Sequence, residues 1–117
     1  MRRDDAAYLL DMLVATRDAV NFADGLSYDA YLGDRRHQLA ILKAVEIVGE
    51  AASRVSAETR ELHPDVPWRE IVGMRNRLVH AYFDVDLRLV WDTVHGDLPS
   101  LVAQLELLVP CGSRRKE

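Results

Sequence analysis

The stretch Arg75-Asn76-Arg77-Leu78-Val79-His80-Ala81-Tyr82 places a guanidinium, an imidazole and a phenol within a segment whose apolar residues recur with a helical period. Because arginine is rarely buried without a partner, a position among these apolar residues predicts a buried partner, a subunit interface or a ligand. At about 100° per residue, Arg75 falls near the centre of one apolar stripe, which consists of Trp68, Ile71, Val72, Leu78, Val79 and Tyr82.

Upstream of this stretch, the apolar spacing predicts two helices. The first spans about 4–22, with Asp4 or Asp5 as its N-cap and Gly25 just beyond its end. The second is long, about 28–55, with Ser27 as its N-cap. Gly49 lies inside the second helix, where glycine costs roughly 1 kcal/mol relative to alanine. We therefore expect another helix to approach closely at this glycine.

Two further helices complete the predicted fold. The third should run from Pro67 to about His80 or Tyr82, because proline suits a first helical turn. The fourth should begin after Asp84 or Asp86 and carry a long apolar stripe, interrupted at 96 and kinked at 99. Short loops and four helical segments predict an all-α, antiparallel four- to five-helix bundle. Residues 1–110 should form one domain, followed by a flexible tail at 111–117.

Composition narrows the class of protein. Hydrophobic residues make up 49% of the chain and charged residues 29%, as in a soluble globular protein. The single cysteine leaves no disulfide framework, and no apolar run approaches the roughly 18 residues that span a bilayer. We expect a cytoplasmic protein without membrane contact. A net charge of −4 argues against a broad nucleic-acid-coating surface but allows a small basic site.

The polar residues of the opening stretch suit phosphate chemistry. The guanidinium of Arg75 can bind a phosphate bidentately and stabilise charge that develops on it. The imidazole of His80 titrates near neutrality and can act as general base or acid. Asn76 could orient that imidazole or donate to a phosphate oxygen. These groups suffice for RNA cleavage in which the 2′-hydroxyl attacks the adjacent phosphorus.

No metal ligation is expected, because the four histidines lack metal-ligand spacing and no paired cysteines are present. We therefore predict no metal and no cofactor.

Geometry constrains how Arg75 and His80 could act together. In a continuous helix, five residues separate them by about 140° around the axis, so they would face different directions. Two arrangements would relieve this constraint. Two copies of the helix could pack about a two-fold axis and share one cleft, or the helix could end near His80.

The residues Pro67–Phe83 together resemble the signature of HepT-like toxins, which belong to the HEPN superfamily of helical ribonucleases. The signature is an arginine, four residues, histidine, one residue and tyrosine, here Arg75, His80 and Tyr82, with Asn76 after the arginine. The resemblance extends upstream to 44–51 and downstream to 90–91 and 98–99, and so covers nearly the whole chain.

The resemblance implies a homodimeric ribonuclease toxin of a type VII toxin–antitoxin system, with a composite site at the dimer interface. Arg75 and His80 would be the catalytic pair, assisted by Asn76. The cognate antitoxin would be a minimal nucleotidyltransferase that transfers AMP to Tyr82. A charged nucleotide beside His80 would block RNA entry and repel its phosphates.

Other interpretations of the same residues stay open. Arg75 could be a structural arginine paired with Glu46, Glu50 or another acid, and it could serve only to hold a dimer together. Arg77, and with it Arg69, could contact RNA or be solvated charges. The chain could also be a non-catalytic helical subunit that binds a nucleotide, or holds a substrate, for a partner nucleotidyltransferase.

Overall fold

The computed structural model describes residues 3–81 and 84–109 of the chain. Within these residues it contains eight helices and one two-stranded antiparallel hairpin, which confirms the all-α class. The elements are α1 (Arg3–Ala23), α2 (Tyr28–Leu32), α3 (Arg35–Arg54), α4 (Ala57–Leu62), α5 (Trp68–Val72), α6 (Met74–Leu78), β1 (Val79–Ala81), β2 (Asp84–Val85), α7 (Leu87–Gly96) and α8 (Leu98–Leu108).

Helix α1 lies at the centre of the packing and contacts α3, α7 and α8. Its fully buried side chains Leu9, Met12 and Leu13 meet Val45 and Val48 of α3 within one hydrophobic core. Burial of each such side chain contributes roughly 1.5–3 kcal/mol.

In the described part of the chain, no helix is long and apolar enough to cross a membrane.

The predicted helix 28–55 is wrong in one respect, because it is interrupted between α2 and α3. Ser27 caps α2 as predicted and accepts a hydrogen bond from the Ala30 N–H. The N–H of Gly33 then closes α2, and Asp34 begins α3 by accepting from the His37 N–H. The C-cap of α2 and the N-cap of α3 therefore break the helix at 33–34, although the helical spacing of apolar residues continues through this point.

The third predicted helix differs more from the structure, because it divides into α5 and α6 and ends at Leu78. Pro67 precedes α5 as its N-cap residue, and Gly73 separates the two short helices. Val79 adopts an extended conformation and starts β1, which pairs with β2 through Val79 and Val85. This hairpin was not predicted, since two strands of three and two residues are too short to show a period.

The fourth predicted helix begins where expected and is interrupted at 96 as expected, but it has no kink at Pro99. Asp86 caps α7 by accepting a hydrogen bond from the Leu89 N–H, as predicted. The helix ends at Gly96, and α8 begins at Leu98 with Pro99 in its first turn. Pro99 therefore starts a new helix and does not kink a continuous one, because the missing N–H of a proline costs nothing in a first turn.

The close helix approach predicted at Gly49 is confirmed. A Cβ atom at this position would lie 3.0 Å from the carbonyl oxygen of Ile71, a backbone atom of α5. Glycine therefore lets α5, and with it α6, lie directly on α3.

A buried carboxylate joins the start of α1 to α4. The prediction that Asp5 could be the N-cap of α1 is wrong, because α1 begins at Arg3 and Asp5 lies inside the helix. The oxygens of Asp5 accept hydrogen bonds from the Ser56 N–H at 2.9 Å and from the hydroxyls of Ser56 and Thr59, each at 2.6 Å. Asp5 is 2% exposed, so these donors have little access to water as an alternative acceptor.

We expect Asp5→Ala to lower the free energy of unfolding by about 2–3 kcal/mol, because buried donors would lose their acceptor. Urea unfolding followed by circular dichroism measures this change. The matched control is Asp4→Ala at the exposed neighbouring position, where the change should stay within about 0.5 kcal/mol. Equal midpoints for the two variants would contradict the structural role of Asp5.

An aromatic cluster packs α2 against α7. The Tyr31 ring packs 5.0 Å from Trp91, and its hydroxyl donates to the Leu87 carbonyl at 2.8 Å. Burial, followed by the nearby Tyr28 and Asp86, raises the pKa of Tyr31 from 10.0 to about 12. The folded protein therefore keeps this phenol neutral at pH values where the unfolded chain ionises it.

This shift predicts a loss of stability at high pH. The contribution of Tyr31 is complete below pH 10, the pKa in the unfolded chain, and is lost as the pH rises toward 12. The melting temperature of the parent should therefore fall more steeply between pH 10 and 12 than that of Tyr31→Phe. Tyr8→Phe serves as the control for removing a phenol from the chain. Parallel curves for the parent and Tyr31→Phe would contradict the prediction.

Candidate active site

Helix α6 presents Arg75 at the surface and directs it toward α3. The Arg75 Nε donates to Glu46 Oε2 at 3.1 Å. The Arg75 side chain is 56% exposed and that of Glu46 29% exposed. Arg75 is therefore not buried within one copy of the chain, and the alternative of an ion pair with Glu46 is confirmed.

The membership of the buried stripe explains why Arg75 is exposed. Trp68 and Ile71 of α5 are buried as predicted, while Val72 is 38% exposed and Met74, which the predicted stripe omits, is buried. Together with Leu78, these buried side chains are spaced by three or four residues, so Arg75 lies beside the stripe and not at its centre.

The Arg75 guanidinium keeps most of its binding capacity. A guanidinium has five N–H donors in a planar fork, and the bond to Glu46 uses the one on Nε. Among the described residues, its two terminal nitrogens have no other hydrogen-bond partner. They form the edge of the fork that can bind two oxygens of one phosphate, while the carboxylate of Glu46 holds the group in place.

The backbone of His80 lies in β1, directly after the end of α6. The Asp86 N–H donates to the Leu78 carbonyl at 2.7 Å, and Val79 pairs with Val85, so the strand is fixed against the start of α7. Of the two arrangements proposed to relieve the 140° separation, the structure shows a helix that ends before His80. The His80 side chain and Tyr82 lie outside the described part of the structure.

The remaining predicted site residues lie around α5 and α6 and are all exposed. Asn76 follows Arg75, and Arg69 is the second residue of α5. The Arg77 Nη2 donates to the Glu70 carbonyl at a long 3.4 Å. Arg77 is thus a surface charge on the side of α6 away from Glu46. The described contacts join Arg75 to Glu46, and none of them joins Arg75 to Asn76 or Arg77.

One feature of the neighbourhood follows only from the structure. It is a cavity between the α5–α6 pair and the α7–α8 junction, which brings Gln104 near Arg77. No local signal predicts it, because its two sides are distant in sequence.

Metal-ligating side chains are not clustered in the described part of the chain. Across 3–81 and 84–109, no three or more His, Cys, Asp or Glu side chains are grouped in a way that could hold an ion.

The comparison with known proteins identifies the family. Residues 12–108 match the family described as Ribonuclease HepT-like. The chain belongs to this HepT-like family. Over 108 residues it is 40% identical to "Probable ribonuclease HepT" of Thermococcus cleftensis, which covers 92% of this chain and 98% of the relative.

A second HepT-like relative agrees with this assignment. The chain is 36% identical over 107 residues to "Putative RNase MJ1380" of Methanocaldococcus jannaschii, and the match covers 92% of the chain and 98% of the relative. We found no solved structure that matches the chain.

Proposed function

We propose that this HepT-like protein is a metal-independent endoribonuclease, the toxin of a type VII toxin–antitoxin pair, with Arg75 and His80 as its catalytic residues and Asn76 assisting. RNA cleavage accords with the family and with relatives named as ribonucleases. The observation that carries the assignment of residues is the exposed Arg75 guanidinium. It is held from one side by Glu46 and lies on a helix that ends two residues before His80.

The proposed reaction is an internal transfer of the phosphoryl group. His80 removes the proton from the 2′-hydroxyl, and the 2′-oxygen forms a bond to the adjacent phosphorus. Arg75 stabilises the added negative charge on the pentacovalent phosphorane. The bond from phosphorus to the 5′-oxygen then breaks, and the leaving oxygen takes a proton from the imidazolium. The products carry a 2′,3′-cyclic phosphate and a 5′-hydroxyl, and the reaction needs no metal ion.

The surface around Arg75 supports a homodimer. Leu39 of α3 is 49% exposed, and Val72 of α5 is 38% exposed. Leu39 lies seven residues before Glu46 and therefore on the same face of α3, while Val72 lies three residues before Arg75. Exposed apolar side chains on either side of the ion pair fit a contact with a second copy. Two sites would then lie at one interface.

A mixing experiment tests whether each site is composite. Arg75→Ala and His80→Ala proteins are each unfolded, mixed and refolded together. If a site takes arginine from one protomer and histidine from the other, random mixing restores about a quarter of the parent activity. No restoration, with heterodimers shown by native mass spectrometry, would mean that each site lies within one protomer.

Inhibition by the cognate antitoxin completes the proposal. Tyr82 follows His80 by two residues, and AMP transferred to it by a minimal nucleotidyltransferase would place a negative phosphate beside the catalytic imidazole. RNA would be excluded by volume and by charge. Co-expression with the antitoxin should add one AMP per chain on Tyr82 by mass spectrometry and abolish cleavage.

The test of the whole proposal is incubation of the purified protein with total RNA and with tRNA in EDTA. Tyr82 is first shown to be unmodified by mass spectrometry. Cleavage with cyclic phosphate ends supports the proposal. No cleavage by unmodified protein would favour the alternative of a binding subunit for a nucleotidyltransferase.

A further inference from the structure

A cavity of about 230 Å³ lies on the side of α6 that faces away from Glu46. Its apolar lining comes from four buried side chains of α5, α6 and α8, namely Ile71, Met74, Leu98 and Leu101. A cavity for a drug-sized ligand measures roughly 300–1,000 Å³. This one therefore suits a single flat ring system.

The polar residues that line the cavity include two carboxylates, which act as hydrogen-bond acceptors. The carboxylates of Glu70 and Asp97 line it, together with the amide of Gln104. The Gln104 Nε2 uses one of its two N–H groups on the Asp65 carbonyl at 2.9 Å, so its Oε1 and its second N–H are left for a ligand. Asp97 precedes α8 and makes no capping hydrogen bond with its side chain. Arg77 is the one cation of the lining residues.

This combination of apolar walls and acceptor groups selects a class of ligand. A nucleobase offers two flat apolar faces and a polar edge. Amino groups on that edge donate to carboxylates, as when Glu or Asp accepts from a cytosine N4 amine. Guanine offers an N–H and an NH₂ side by side, which match the two oxygens of one carboxylate. Uracil presents one N–H between two carbonyl oxygens, and the carboxylates of Glu70 and Asp97 would repel those oxygens.

We propose that this cavity binds one amino-bearing base of the RNA, guanine best, and that it sets a sequence preference next to the cleavage site. The inference rests on the proposed ribonuclease function. Arg75 and Arg77 lie about 200° apart around α6, and a helix is about 10–12 Å across with its side chains. A few nucleotides of single-stranded RNA could therefore connect Arg75 to the cavity, with Arg77 contacting a phosphate between them.

Pairing of two protomers would leave the cavity accessible. The proposed dimer surface around Leu39, Glu46 and Val72 lies on the α3 side of α5 and α6. The cavity lies on the opposite side, between α5–α6 and the junction of α7 with α8. A base could therefore enter it in the dimer.

Methionine methyl groups report on occupancy directly. Met74 lines the cavity, whereas Met12 is fully buried within α1 and lies outside the lining. Protein labelled with ¹³C at methionine methyls is titrated with guanosine and with uridine, and Met74→Leu identifies the Met74 signal. Guanosine should shift the Met74 signal, leave Met12 unmoved and bind at least about fivefold more tightly than uridine. Equal or tighter binding of uridine would overturn the proposal.

Two further titrations exclude other ligands. Inorganic phosphate alone tests for an anion held by Arg77, and argininamide tests for a basic side chain of a partner protein held by the two carboxylates. If either shifts the Met74 signal at a lower concentration than guanosine does, the cavity is not a nucleobase site. Weaker binding of both supports the proposal.

A substitution at the rim provides the matched test. Glu70→Gln keeps the shape of the side chain but removes its charge, and it should weaken guanosine binding about fivefold to tenfold with little effect on uridine. Glu61→Gln, at an exposed position of α4 outside the cavity, is the control and should bind as the parent does. Unchanged guanosine affinity in Glu70→Gln would contradict the assignment.

These titrations need no RNA cleavage, so their outcome is separate from that of the ribonuclease assay. Guanosine binding without cleavage would leave the cavity established and the proposed function overturned. Cleavage without nucleoside binding at Met74 would overturn this inference alone.

Discussion

Replacement of His80 by alanine is expected to slow RNA cleavage at least about a hundredfold, and up to about ten-thousand-fold, because general acid–base catalysis contributes on this scale. The proposed reaction uses the imidazole twice, once to remove the 2′-hydroxyl proton and once to protonate the leaving oxygen. Binding of RNA should persist, since the imidazole contributes little to affinity. The measurement is the initial rate of cleavage in EDTA, together with the RNA dissociation constant.

The matched control is His37→Ala, which removes an imidazole remote from the proposed site. The His37 ring pairs with the partly exposed Asp34 at the start of α3, so its loss should change cleavage less than about twofold. Thermal melting confirms that both variants are folded. If His80→Ala cleaved at the parent rate, the imidazole would have no catalytic role, and the Arg75 surface would have to be interpreted as a binding site.

Helical content could be predicted from sequence because apolar spacing and caps agree along most of the chain. Ser27 and Asp86 each accept a hydrogen bond from the first turn of a helix, as their residue types predict. The breaks were harder to predict, because the residues that cause them also occur inside helices. Asp34 interrupts a stretch whose apolar period continues on both sides. The break follows from the hydrogen bond that its side chain accepts from the His37 N–H, which the sequence alone does not show.

The candidate site shows the same limit more sharply. The residue types of the motif predicted phosphate chemistry, but the predicted direction of Arg75 depended on which residues form the buried stripe. That stripe includes Met74 and leaves Val72 exposed, and the extended conformation of Val79 places His80 on a strand. The partner Glu46 could be named only as one of several acids. Choosing it required the close packing of α5 on α3 that Gly49 permits.

Arg75→Ala is expected to lower the rate of RNA cleavage about a hundredfold to a thousandfold, the effect of removing one preorganised donor that stabilises a developing anion. Stability should change little, because the pair with Glu46 is partly exposed and such pairs contribute roughly 0–1 kcal/mol. Arg75→Lys keeps the charge but loses the planar fork, so its rate should lie between those of the parent and Arg75→Ala. Cleavage kinetics and thermal melting are measured on the same preparations.

The combination of rate, stability and assembly separates a catalytic Arg75 from an Arg75 that only holds the dimer together. A catalytic arginine gives a large loss of rate with an unchanged melting temperature and an unchanged mass in light scattering. An arginine that only holds the dimer together gives dissociation or unfolding in Arg75→Ala, and Glu46→Gln should then cause a similar loss because it removes the other charge of the pair. If Glu46 instead positions a catalytic Arg75, Glu46→Gln keeps a hydrogen-bond acceptor, and its rate should fall less than about tenfold. A large rate loss in Arg75→Ala with a small one in Glu46→Gln is therefore the pattern that a phosphate-binding guanidinium requires.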